Sequence, residues 1–371
     1  MRATKAIIHL DNFCKNLQVV RKKIGARQKT RGICVPIKAD AYGHGAVTIA
    51  RTALEAGVEY LAVATLYEAA ELRQAGIKAR IFFLSQALPE DMKEIADLDL
   101  TPFVSDRETI EALSAVSQTR PLEVHLKVDT GMGRLGCRPE KARELAFFIA
   151  EHKNLRLGGI ATHLSVADSP AAEDAAYTKK QIARFIEAVD NVRAAGIDPG
   201  LVHAANSGAL CFHEEAYFDM VRPGIFLYGY SPAAGIPGGL NSEPVMELRS
   251  AVVFVKKVYP GEEISYGRTW KASEETFIGT LPVGYADGLP LLLSNKHSVL
   301  IQDKAYPLVG RICMDQCTVN LGNKGDIQTG DEALIFGPGH ETAADMARKI
   351  NTISYEILCN ISKRVPRVYV K

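Results

Sequence analysis

No run among the 371 residues approaches the eighteen or so uninterrupted apolar positions of a membrane-spanning helix, so a helical membrane protein is not expected. Charge of one sign is also missing. The 44 basic and 43 acidic residues leave a formal net charge of +1, which removes the electrostatic reason to expect nucleic acid or a membrane surface as partner. The seven cysteines are odd in number, scattered from Cys14 to Cys359 and form no CxxC pair, so reduced thiols are expected rather than a disulfide framework. Neither they nor the nine histidines show the ligand spacing of zinc, and no metal is expected. The first residues, MRATKAIIHLDNF, turn polar too soon for a signal-peptide core, giving the expectation of a soluble cytoplasmic protein. Internal repeats of fixed period and low-complexity segments are absent.

What is present is ordinary globular material, 47% apolar and 23% charged, in a length that suggests two domains. Residues 33–38, 60–65, 80–85, 101–105, 123–129, 158–163, 201–205 and 220–229 are β-branched, mostly unalternating runs, as expected of parallel strands covered on both faces. Helical patterns lie between them at 46–56, 66–75, 107–116, 141–151 and 178–195, several ending at a glycine such as Gly57, Gly76 or Gly196. Eight such repeats favour a closed (β/α)8 TIM-type barrel over a doubly wound open sheet. After the Gly/Pro/Ser-rich stretch 231–242 come β-type runs at 246–258, 276–283, 298–302, 318–321 and 332–336, with one helix at 343–351. The expected fold is α/β: an N-terminal barrel over 11–235 and a C-terminal, mainly antiparallel β domain over 236–371.

In such a barrel the chemistry sits at the C-terminal ends of the strands. That rule points to Lys38, to residues 129–134, to His163, to Ser207 and to the Arg222-Pro223-Gly224 turn. Lys38 could be a strand-end lysine snorkelling to solvent. It could instead be a Schiff-base lysine, since a partly desolvated amine loses its proton more readily. Gly131, Gly133 and Gly136 spell a literal GxGxxG, but they lack the first-strand context of a dinucleotide site.

Nine blocks in order, KADAYGHG, HLKVDTGMGRLG, THLSVAD, HAANSG, VRPGIFLYG, SYGRTW, GYADG, GRICMDQ and SYEILCNI, closely resemble the motifs of alanine racemases. The resemblance covers almost the whole chain. It implies fold type III pyridoxal 5′-phosphate (PLP) chemistry, with Lys38 holding the cofactor and residues 1–10 contributing a strand to the C-terminal domain. The implied activity is interconversion of L- and D-alanine through an external aldimine, supplying D-alanine for peptidoglycan or serving alanine catabolism. Racemisation needs one group to remove the α-proton and another to return it on the opposite face. The resemblance makes these Lys38 and Tyr266, the tyrosine arriving from the second subunit of a homodimer. It also implies that Tyr42, Asn206, Ser207, Gly224, Ile225 and Tyr355 serve the cofactor, and that His163 hydrogen-bonds the catalytic tyrosine. Arg222 then faces the pyridine nitrogen, and Arg134 and Met314 meet the substrate carboxylate. Lys127, often carbamylated in the family, holds Arg134, while Tyr285 and Asp315 line the entrance with Met314.

Two rivals differ at identifiable positions. The first is a related enzyme of the same fold, a broad-specificity or serine racemase or an amino-acid decarboxylase; a decarboxylase would place a cysteine-aspartate pair and a glycine-rich loop where this chain has CMDQ and AANSG. A non-catalytic cofactor-binding protein would keep the barrel and lysine but lack residues 240–371 with Tyr266 and Met314. Arg268 and Trp270, after Tyr266, depart from the family pattern.

Overall fold

The computed structural model describes residues 2–25, 32–117, 120–232 and 239–371. Its first strands are β1 (Lys5–His9), β2 (Gly32–Pro36), β3 (Tyr60–Val63), β4 (Arg80–Phe83), β5 (Leu100–Val104), β6 (Leu122–Lys127), β7 (Leu155–Ala161), β8 (Leu201–His203) and β9 (Met220–Val221). Strands β2 to β9 form one eight-stranded sheet in which β2 pairs in parallel with both β3 and β9. Between β8 and β9 the ring is completed by the amides of Asp219 and Arg222, which donate to the carbonyls of Val202 (3.0 Å) and Ala205 (2.8 Å). An apolar layer that includes Cys34, Ala62, Phe82, Phe103, Ala161 and Met220 fills part of the interior. Two of the crossover helices start where side chains satisfy their first amides. Thr65 and Glu68 form a capping box for the helix Leu66–Gln74, and Asp106 caps Arg107–Val116.

Two strand ends differ from expectation. The run expected over 220–229 is a strand only at Met220–Val221, because Pro223 has no amide for a ladder. Beyond it the chain folds into successive tight turns, Leu227 to Gly224, Tyr228 to Ile225 and Gly229 to Phe226. The run expected to carry Lys38 at its end stops at Pro36, and Lys38 opens a helical turn. The helix expected over 178–195 begins earlier, at Ala172.

The remaining strands are β10 (Met246–Ala251), β11 (Phe254–Val258), β12 (Glu263–Ile264), β13 (Trp270–Lys271), β14 (Thr276–Leu281), β15 (Ser298–Ile301), β16 (Lys304–Pro307), β17 (Cys317–Gly322), β18 (Glu332–Phe336) and β19 (Arg367–Val370). They form a six-stranded sheet in the order β16-β15-β18-β10-β1-β19, a three-stranded sheet β11-β14-β17 and the ribbon β12-β13. All their pairings are antiparallel except β1 with β19. The expected single run 246–258 is two strands in different sheets. Strand β1 pairs with β10 and β19, and the N-terminal segment through Phe13 clusters with residues 42–45 and 243–371 as one compact unit. The other unit comprises Cys14–Ala41 and Ala46–Ser242. The boundary expected at 235/236 lies outside the described residues. Among the described residues, no helix is long and apolar enough to cross a membrane.

Candidate active site

Lys38 begins a six-residue helical turn, Lys38–Gly43, of the wrong hand for L-amino acids. Ala39, Asp40, Ala41 and Tyr42 all have φ between 52° and 55°, and Gly43 has φ 82°. The left-handed helix brings Cβ against the following carbonyl and costs roughly 1–2 kcal/mol per non-glycine residue, so about 4–8 kcal/mol is stored over these four positions. Two carboxylates hold it. Glu68 accepts the Ala39 amide at 2.7 Å through one oxygen and the Ala64 amide at 2.8 Å through the other, tying the turn to the end of β3. Asp40 accepts the Ala46 amide at 2.7 Å. At about 1.5–3 kcal/mol for each hydrogen bond to a charged group, the two anchors of the turn supply roughly 3–6 kcal/mol, which comes close to offsetting the strain.

The barrel unit concentrates positive charge at the ends of its strands. Lys127 ends β6 buried, its Nζ 5.5 Å from the centroid of the Phe103 ring. Burial, reinforced by Arg222 and Arg134, holds its amine well below the ordinary lysine value. Asp129 does not neutralise it by contact, because its carboxylate receives the amides of Gly131 and Gly133. The glycines of the GxGxxG string therefore serve this loop: a Cβ on Gly136 would lie 2.5 Å from the Asp129 nitrogen. His163 is likewise held well below its ordinary value, by burial first and then by the charges of Lys127, Arg222, Arg134 and Lys38. The charges of Lys38, Lys127, Arg134 and Arg222 thus all act on His163, which lies in a basic centre.

Arg222 is buried, and burial lowers its guanidinium to about 10. Nη1 donates to His203 Nδ1 at 2.6 Å, and Nη2 donates to the carbonyls of Thr162 (2.7 Å) and Ala204 (3.1 Å). Asn206 caps the short helix Ser207–Phe212 by accepting the Ala209 amide, and its own amide donates to the Leu164 carbonyl. The Ser207 hydroxyl accepts the Phe226 amide at 3.3 Å, joining that helix to the turns carrying Gly224 and Ile225.

In the C-terminal unit, Tyr266, Met314 and Tyr285 are 73%, 53% and 45% exposed. The Ser265 hydroxyl donates to the Arg311 carbonyl at 2.6 Å, which brings the Tyr266 turn beside the loop carrying Met314. Tyr285 and Ala286 donate their amides to Cys313 and Met314, an approach that only glycine at 284 permits, since a Cβ there would lie 2.3 Å from both carbonyl oxygens. Asp315 pairs with Arg364 at 2.7 Å. Tyr355 opens the helix Ser354–Cys359, and its ring lies 5.9 Å from that of Tyr42 in the same unit.

Sequence reasoning passed over Glu68 and Asp40, whose roles depend on a backbone conformation no local pattern signals. It also passed over Glu123, His125 and His203. For the first two a signal existed: Glu123, His125 and Lys127 recur with period two on a buried strand, so polar groups share its inward face.

A closed (β/α)8 barrel with lysines, arginines and a neutral histidine gathered at its strand ends defines the class of barrel proteins that carry chemistry at that face. The alanine racemase N-terminal domain family matches residues 8–232, and the alanine racemase C-terminal domain family matches residues 245–369. An alanine racemase of Treponema denticola is 47% identical, with 100% of this chain and 99% of that protein covered. One of Treponema pallidum is 44% identical with both covered completely. Among solved structures, alanine racemase of Clostridium difficile 630 is similar with a TM-score of 0.93 and 37% identity over 100% of this chain and 96% of that one. That of a D-cycloserine-producing Streptomyces lavendulae is similar with 0.92 and 36%, over 100% and 98%. The chain belongs to the alanine racemase family.

Proposed function

We propose that the protein interconverts L-alanine and D-alanine with PLP as cofactor, as a homodimer in the cytoplasm, supplying D-alanine for peptidoglycan or serving alanine catabolism. The observation that carries the reading is Lys38, held in a strained left-handed turn beside the basic centre of the barrel. Strain of this kind gathers where a side chain must be presented in one orientation.

The residues present fit the cofactor. Three of the five guanidinium donors of Arg222 are engaged within the barrel, which leaves two for a ring nitrogen and its surroundings. The amides of Gly224 and Ile225 donate to no acceptor among the described residues, and those of Ser207 and Gly208 lie in the first turn of their helix, where no intrahelical acceptor exists. Such donors, with the hydroxyl of Ser207, suit a phosphate; that Tyr42 and Tyr355 add to it follows from the family resemblance alone. When bound, the cofactor supplies an aldehyde for an amine and an electron sink for the carbon that loses its proton.

The chain's own groups do the rest. The Lys38 amine and the hydroxyl of Tyr266 from the second copy hold and return the α-proton on opposite faces. His163, kept neutral, offers a nitrogen that accepts from that phenol. Arg134 and the Met314 amide bind the substrate carboxylate. Lys127, carbamylated, becomes an anion that orients Arg134. A second copy would cover the exposed Tyr266, Met314 and Tyr285, and Asp315 would line the entrance with them. The odd number of cysteines and their scatter without a CxxC pair suit a reducing compartment.

The test is a coupled assay with L-alanine and L-serine, alongside visible absorbance on adding PLP. A new absorbance band and alanine racemisation are expected, both lost in Lys38→Ala, with specific activity falling on dilution. No band, or racemase activity retained by Lys38→Ala, overturns the reading.

A further inference from the structure

A polar chain crosses the barrel interior from Arg222 toward the N-terminal end of β6, and its proton positions follow from chemistry. Arginine can only donate. His203 Nδ1, 2.6 Å from Arg222 Nη1, therefore accepts, and the proton of that ring sits on Nε2. His203 Nε2 lies 2.8 Å from His125 Nδ1 and must donate to it, so the proton of His125 also sits on Nε2. That nitrogen faces Glu123 Oε1 at 3.7 Å, an ion-pair rather than a hydrogen-bond distance. Glu123 is flanked in turn by Arg80 at 3.5 Å and by Arg156. Every donor in the series points from the guanidinium to the carboxylate.

The barrel is shaped around this chain. Both imidazoles are fully buried. A Cβ on Gly159 would lie 2.4 Å from His125 Cε1, and one on Gly158 would lie 2.2 Å from Glu123 Cγ, so the paired glycines of β7 vacate the space. The Phe82 ring stands edge-on to His125 at 4.7 Å and 5.7 Å from His203, while Phe103 stacks on His125 at 6.1 Å, leaving neither imidazole room to turn. Burial, with Arg222 adding to it, holds His203 well below its ordinary value, and burial lowers His125, so both rings are neutral dipoles. Apolar side chains would fill the same volume without desolvating polar groups.

We infer that Glu123 and His125 are positioning residues for Arg222, acting through His203 to fix the guanidinium as a donor toward the cofactor. The carboxylate aligns both dipoles, each bond polarises the next, and Arg222 is oriented from roughly 13 Å below the end of β6, at about 3.3 Å per strand residue. The functional part of this inference rests on the family-level reading above; the proton positions do not.

The experiment uses full-length protein labelled with 15N-histidine, its signals assigned by single-histidine variants. In cofactor-free protein both rings should be neutral and protonated on Nε2 between about pH 6 and 8. Glu123→Gln should move the His203 signals although the two residues do not touch, and Glu123→Asp should restore them in part. In the loaded enzyme Glu123→Gln should lower kcat by about tenfold, the low end of what outer partners of a site contribute, with KM unchanged. Protonation of either ring on Nδ1, or His203 signals unmoved by Glu123→Gln, overturns the inference even if stability falls. A protein that shows the expected signals but neither binds PLP nor racemises alanine overturns the functional reading and leaves the chain of protons standing.

Discussion

Replacing Ala39 by glycine should stabilise the protein, against the usual cost of a glycine in a helix. Ala39 has φ 52° and is exposed, so its methyl packs against nothing that the change would lose. Relief of the left-handed penalty is worth roughly 1–2 kcal/mol. Glycine returns about 0.4–1 kcal/mol of that through the greater freedom of the unfolded chain. The net expectation is a gain of about 0.5–1 kcal/mol. The anchor to Glu68 is a backbone amide and survives the substitution. Ala39→Val is the opposite perturbation, because a β-branched side chain fits the left-handed region worst, and it should cost at least about 1 kcal/mol. Urea unfolding of both variants, compared at unchanged slope and fixed protein concentration, reads the difference directly. If Ala39→Gly is less stable than the parent, or Ala39→Val as stable, the turn after Lys38 is not left-handed in solution and the stored-strain account fails.

Two further outcomes follow from the charges. Lys127, whose amine burial and its cationic neighbours hold well below the ordinary lysine value, should react with carbon dioxide: 13C-bicarbonate should give one carbamate resonance, absent in Lys127→Gln, and no such resonance refutes the modification. Glu341, hydrogen-bonded by His297 at 2.7 Å and by Lys349, is lowered from 4.5 to about 2. A depressed carboxyl contributes stability that is present above pH 4.5 and lost as the pH falls toward 2. Glu341→Gln should therefore cost of order 1 kcal/mol at pH 7 once solvent screening is allowed for, with the cost shrinking as the pH falls through that window. A cost that grows on acidification refutes the assignment.

The fold class was legible because a parallel strand covered on both faces must be a continuous apolar run, and eight such runs alternate with helix patterns before Gly/Pro/Ser-rich residues intervene. The places where the reading failed each have a physical cause. Pro223 ends β9 early through a missing donor, and residues 246–258 divide because two sheets claim the halves. Tyr355 went unassigned to any element because its helix has six residues, too few to show a period.

The candidates for the reactive groups, Lys38 after an apolar run and Tyr266 in a glycine-bounded turn, came from the sequence and its resemblance to a family, since chemistry belongs to residue type. Only the tertiary structure decided how those groups are held. The left-handed turn after Lys38 exists because Glu68 and Asp40 offset its strain across the fold. The lowered proton affinities of Lys127 and His163 exist because burial and gathered cations disfavour a further charge. The direction of the histidine chain exists because Arg222 can only donate. Conformational strain, desolvation and proton position are properties of surroundings, and surroundings are assembled only when the chain closes on itself.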